Sequence, residues 1–64
     1  MNQEYKRKLQ EFKEYRDSID YDYMLDIIII RYELALLKYI KYNDWIYTYI
    51  LKELETIINW YKHK

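Results

Sequence analysis

The chain has no cysteine, no glycine and no proline. Each absence removes a class of solutions. Without cysteine there is neither a disulfide framework nor a thiolate–metal site. The one histidine is His63, next to the end of a 64-residue chain, so no imidazole metal site is expected. Without glycine no loop brings its backbone close to a phosphate, which excludes Walker, Rossmann and nucleophile-elbow motifs. Tight β-hairpins lose their favoured turn residues, and helices lose their usual terminators. Long apolar runs are missing too. Ile27–Ile30 is closed off by Asp26 and Arg31, far short of the roughly 18 residues that span a bilayer. Met1 leads into a charged stretch, so no signal peptide is expected and the chain reads as cytoplasmic.

Net charge is also absent, because 11 Lys/Arg offset 11 Asp/Glu. That argues against a general electrostatic grip on DNA or RNA, which needs clustered positive charge. It argues equally against an acidic nucleic-acid mimic. The balance is nevertheless uneven along the chain. Asp17, Asp20, Asp22, Asp26 and Glu33 face only Arg31 within residues 17–33, whereas both flanking segments lean basic.

What is present is apolar and aromatic: ten Tyr, two Trp and 52% hydrophobic residues overall. With charged residues spread throughout, this reads as one small all-α domain. A chain of this size buries only about 60% of its unfolded surface and usually needs a disulfide, a metal or oligomerisation to hold it. With the first two removed, self-association or a partner is the expected support. Tyr, Ile, Lys and Asn are abundant and alanine occurs once, at Ala35. Their codons are AT-rich, which suggests a low-GC bacterium, its phage or plasmid, or an archaeal virus.

Three helices are predicted, over about residues 2–16, 18–42 and 44–62. The first offers a thin apolar row, Tyr5, Leu9, Phe12 and then Tyr15 or Ile19. Asp17-Ser18 is the first expected boundary, with either side chain as N-cap and with Asp20 and Asp22 in the first turns, favoured by the helix dipole. Asn43-Asp44 is the second, pairing a left-handed C-terminal residue with an N-cap. So short a link suits an antiparallel hairpin. In the third helix the expected core row is Ile46, Ile50, Leu54, Ile57 and Tyr61, widened by Tyr47, Leu51 and Ile58. Because neither boundary contains Gly or Pro, one continuous helix over 18–62 in a dimeric coiled coil is the rival architecture.

The middle helix carries two apolar rows. One is Tyr21, Leu25, Ile28, Tyr32, Ala35, Tyr39 and Tyr42; the other is Tyr23, Ile27, Ile30, Leu34 and Leu37. Both step alternately by four and three residues and lie on nearly opposite sides of the helix. Charges are confined to two gutters, with Asp22, Asp26 and Glu33 on one side and Arg31 and Lys38 on the other. The simple explanation is a central helix covered on both sides by its neighbours. The thin first helix has little to offer the second row, however. Five such side chains, at about 1.5–3 kcal/mol each when buried, are comparable with the whole stability of a small domain. The second row is therefore a candidate interface, for a homodimer in a helical-bundle assembly or for a protein partner.

Trp45, Tyr49 and Trp60, opposite the expected core row of the third helix, are further interface candidates, since Trp and Tyr recur at hot spots. Beside Lys41, Lys52, Lys62 and Lys64 they also suit stacking of single-stranded bases, although neutral net charge weakens that reading. The acidic patch Asp22, Asp26 and Glu33 reads first as dipole stabilisation and a solvated gutter. Pairing with a basic partner is its functional alternative. A di-metal bundle would need Glu-x-x-His ligands, and none exist. No tyrosine has the companion base, Arg cluster or metal that nucleophilic work requires.

The stretch Leu25-Asp26-Ile27-Ile28-Ile29-Ile30-Arg31-Tyr32 resembles the Leu-Asp-x-x-Ile-x-x-Tyr portion of small sporulation-type aspartyl-phosphate phosphatases. Those are short helical hairpins of low-GC bacteria that act on phosphorylated response regulators. The resemblance covers eight residues; the family's Ser-Gln-Glu before Leu-Asp is replaced by Asp22-Tyr23-Met24, and the third helix is extra. It implies Asp26 as the working residue. The reading preferred from the residues is a non-enzymatic interaction module without cofactor or metal. Its concrete form would be a phage- or plasmid-borne inhibitor, of the anti-CRISPR kind, that blocks a protein partner.

Overall fold

The computed structural model describes residues 2–63. Among them are three α-helices and no strand: α1 (Asn2–Ser18), α2 (Tyr23–Tyr42) and α3 (Ile46–Lys62). They form an up-down-up bundle of 35 × 17 × 17 Å in which α2 packs on both of its neighbours. Tyr5 meets Tyr39 and Phe12 meets Tyr32, each edge to face, which sets α1 antiparallel to α2. Tyr32 bonds to Glu55, which sets the register of the α2–α3 hairpin. No described helix is long and apolar enough to cross a membrane.

The first boundary falls later than residues 17–18. Helix α1 continues through Ser18, whose hydroxyl donates back to the Tyr15 carbonyl at 2.8 Å instead of capping the next helix. Asp17 pairs with Arg16. The cap of α2 is Asp22, extended at φ −123°, ψ 109°, its carboxylate accepting from the Leu25 amide at 3.1 Å. Asp20 therefore lies in the link, and Asp26 is the acid in the first turn of α2. The second boundary follows the expected chemistry at Asn43, while α3 starts at Ile46, later than expected. Asn43 takes the left-handed conformation, φ 50°, and its amide donates to the Tyr39 carbonyl. The Asp44 carboxylate accepts from the Ile46 amide at 3.0 Å. Asn43 does what glycine ordinarily does, α3 starts at Ile46 after Trp45, whose side chain makes no cap bond, and α2 and α3 are separate helices rather than one.

The core consists of Phe12 from α1, Leu25, Ile29, Tyr32, Ala35 and Leu36 from α2, and Leu51 and Ile58 from α3. Tyr5, Leu9, Tyr15, Ile28, Tyr39, Leu54 and Tyr61 pack around it. The expected first row of α2 is inside except at its ends, where Tyr21 and Tyr42 are exposed. The expected core row of α3 needs correction. Ile46, Ile50 and Ile57 are exposed, whereas Leu51 and Ile58, taken only as widening residues, are the fully buried ones. The reason is that α3 touches α1 as well as α2. Lys8 reaches Glu55, and the Tyr15 hydroxyl donates to the Tyr61 carbonyl. The buried arc of α3 must bisect the directions to two neighbours, and that turns Ile46, Ile50 and Ile57 out to one edge.

Candidate interaction surface

Both α1 and α3 lie against the first row of α2, so neither covers the second. Tyr23 is 57% exposed, Ile30 45%, Leu34 52% and Leu37 57%, with Ile27 half-buried. Single exposed apolar residues are ordinary, but a row of them along a helix is the pattern of a docking face. Its position follows from periodicity. Residues spaced by alternating steps of four and three stay on one side of an α-helix, and here that side points away from the bundle axis.

Beside this row, α2 and α3 enclose a cleft of about 220 Å³ lined by Arg31, Leu34, Ala35, Lys38, Tyr47 and Ile50. Ile46, Ile50 and Ile57 continue the apolar surface onto the adjoining edge of α3. Arg31 and Lys38 are exposed and make no ion pair or hydrogen bond among the described residues. Their aliphatic stems add to the apolar surface while their charges remain available.

The aromatic face of α3 divides in two. Trp45 and Tyr49 meet edge to face at 5.4 Å, both mostly exposed. Trp60 lies near the other end of the helix, against Tyr61. Of the lysines expected beside them, Lys41 sits over the Tyr42 ring at 5.3 Å and Lys62 over the Tyr15 ring at 5.6 Å. Lys52 lines a second cleft with Glu4, Tyr5, Tyr39 and Thr48. Lys64 lies outside the described residues. The cations are thus dispersed over several surfaces rather than gathered along one track.

The acidic patch is engaged within the chain. Asp22 caps α2, Asp26 accepts from Arg16 at 3.3 Å, and Glu33 accepts from Lys13 at 2.8 Å. The gutter on that side of α2 is its seam with α1. Asp26 is the second residue of the phosphatase-like stretch, in which Leu25, Ile29 and Tyr32 are all buried. Core packing alone accounts for those three matches.

Sequence reasoning passed over Glu55. It accepts from the Tyr32 hydroxyl and from the Lys8 ammonium, each at 2.9 Å. Burial, and then this hydrogen bond, holds the Tyr32 hydroxyl well above its ordinary range. The bond to Glu55 likewise raises Lys8. The arrangement joins all three helices through one carboxylate. Its signal was a charge flanked by Leu51, Leu54 and Ile58, on the apolar side of its helix. His63 is exposed at the end of α3, its amide donating to the Asn59 and Trp60 carbonyls. No protein family, curated protein or solved structure matches this chain.

Proposed function

We propose that this chain is a non-enzymatic protein-interaction module that works by occupying the surface of a protein partner. The observation that supports this reading is the apolar surface outside the core. The bundle has already buried Tyr32, Leu25, Ile29, Leu51 and Ile58, yet α2 and α3 still present aliphatic and aromatic side chains to solvent. Burying such surface on a partner is the main source of favourable free energy in association. Trp45 and Tyr49 supply large, semi-rigid contact area with polar tips, the chemistry common at binding hot spots. A regulator or inhibitor borne by a phage or plasmid, such as an anti-CRISPR, is the biological form that size and a composition rich in Tyr, Ile, Lys and Asn suggest.

The test compares capture by the intact chain and by a Trp45→Ala/Tyr49→Ala variant from extracts of the source organism. Both substitutions lie outside the core, so the helical circular-dichroism signal should be unchanged. A partner retained by the intact chain and lost by the variant supports the reading. Equal retention by both removes this surface from it.

A further inference from the structure

The outer row of α2 has the full charge pattern of a parallel two-stranded seam, and the geometry points to a second copy of this chain as its occupant. The inference rests on reading the exposed rows as interfaces and assigns one of them. Tyr23, Ile30 and Leu37 take the d positions of a heptad repeat, and Ile27 and Leu34 the intervening a positions. Each is separated from the next by three or four residues, as knobs-into-holes packing requires. Arg31 and Lys38 then fall at e, and Asp26 and Glu33 at g.

In a parallel pair, a g residue faces the e residue five positions further on in the other strand. Asp26 is five before Arg31, and Glu33 is five before Lys38. Both pairs are of opposite sign, and a twofold axis repeats each, giving four favourable contacts. An antiparallel pair would set e against e and g against g, cation on cation and acid on acid. The charges therefore select both the partner and its direction. A basic or an acidic foreign helix would satisfy one gutter and be repelled by the other.

The remaining observations are compatible with this packing. Arg31 and Lys38 have no ion pair among the described residues. Asp26 and Glu33 each bind α1 through one carboxylate oxygen, and a carboxylate has acceptor sites to spare. Helices α1 and α3 pack against the first row of α2 and border the seam only at its gutters, α1 through Lys13 and Arg16 and α3 through Tyr47 and Ile50. The row from Tyr23 to Leu37 covers 15 of the 20 residues of α2 and makes a seam about 21 Å long. Isolated strands of this length are marginal because they must also form the helix; here the bundle holds the helix ready-made. The edge of α3 with Trp45 and Tyr49 remains open for another partner.

Sedimentation equilibrium over micromolar concentrations tests the seam, with Lys38→Glu as the main variant because Lys38 is exposed and unengaged. The intact chain should dimerise, and more weakly as salt is raised. Lys38→Glu sets Glu against Glu33 of the other copy and should raise the dimer dissociation constant about tenfold. Combining it with Glu33→Lys and Lys13→Glu, which keeps the bond between α1 and α2 with its charges exchanged, should restore association. Direction is read from a single Leu37→Cys variant in this cysteine-free chain: oxidation should give a covalent dimer only if like residues face each other. A strictly monomeric intact chain, a dimer indifferent to Lys38→Glu, or a dimer that Leu37→Cys does not cross-link would each overturn the inference. A monomer would still leave capture through Trp45 and Tyr49 standing, so the two readings fail separately.

Discussion

At the scale of single residues, the most demanding position is Tyr32. Its ring is fully buried, and its hydroxyl donates to Glu55. A hydrogen bond to a charged acceptor contributes about 1.5–3 kcal/mol, so Tyr32→Phe should lower stability by about that amount in urea unfolding. Burial first, and the hydrogen bond second, raise Tyr32 above its unfolded value of 10. The bond to Glu55 raises Lys8, and burial raises Tyr5. All three groups hold a proton more tightly folded than unfolded. Their contribution is complete below the unfolded values and is lost as pH climbs through the folded ones. Stability should therefore fall above about pH 10, and Tyr32→Phe should flatten that decline. An equally steep decline in the variant would assign it elsewhere.

Among the elements, helix ends and helix rotation are the informative features. Asp22 is the side chain that closes the start of α2. Asp22→Ala should cost about 1 kcal/mol, whereas Ser18→Ala should cost little, since Ser18 bonds back into its own helix. The comparison also checks the boundary, because a cap at residue 18 would reverse the order. Rotation of α3 is tested by two adjacent isoleucines. Ile58 is fully buried and Ile57 is 41% exposed. Ile58→Ala should cost about 2–5 kcal/mol by leaving a cavity; Ile57→Ala should fall near the 0.5 kcal/mol typical of surface changes. Thermal or urea unfolding of both variants, each at low concentration, gives the answer.

These two elements also show what could be read from residues alone. The row of α1 was legible because that helix has one dominant direction of burial; the first row of α2 was legible too, but Ile29 and Leu36, buried where α2 meets two neighbours, belonged to neither row. Asn43 and Asp44 marked the second link because capping is local chemistry. The first link was misplaced because Asp17, Ser18, Asp20 and Asp22 are all plausible caps, and only packing decides where the chain can turn. For α3, aliphatics at 46, 50, 51, 54, 57 and 58 leave the centre of the apolar arc ambiguous by about one residue position. The contact with α1 resolves it.

For the whole molecule, size sets the problem. A bundle with eight buried hydrophobic residues among those described has little margin, as small domains usually do. If a second copy covers the outer row of α2, association adds to the apparent stability by mass action. The thermal midpoint of the intact chain should then rise with protein concentration, and that of Lys38→Glu should rise less. A midpoint independent of concentration would mean that the bundle stands alone, its exposed row being wholly for other partners.

Local pattern alone established an all-helical chain, the two apolar rows of α2 and the lack of glycine- and cysteine-based motifs. These follow from composition and periodicity, which act locally along the chain. Packing settled that α2 and α3 are separate helices, which row is left outside, which arc of α3 is buried, and that Asp26, Glu33 and Glu55 are bound across helices. Those outcomes depend on the direction from which each neighbour approaches, and no local pattern records that direction.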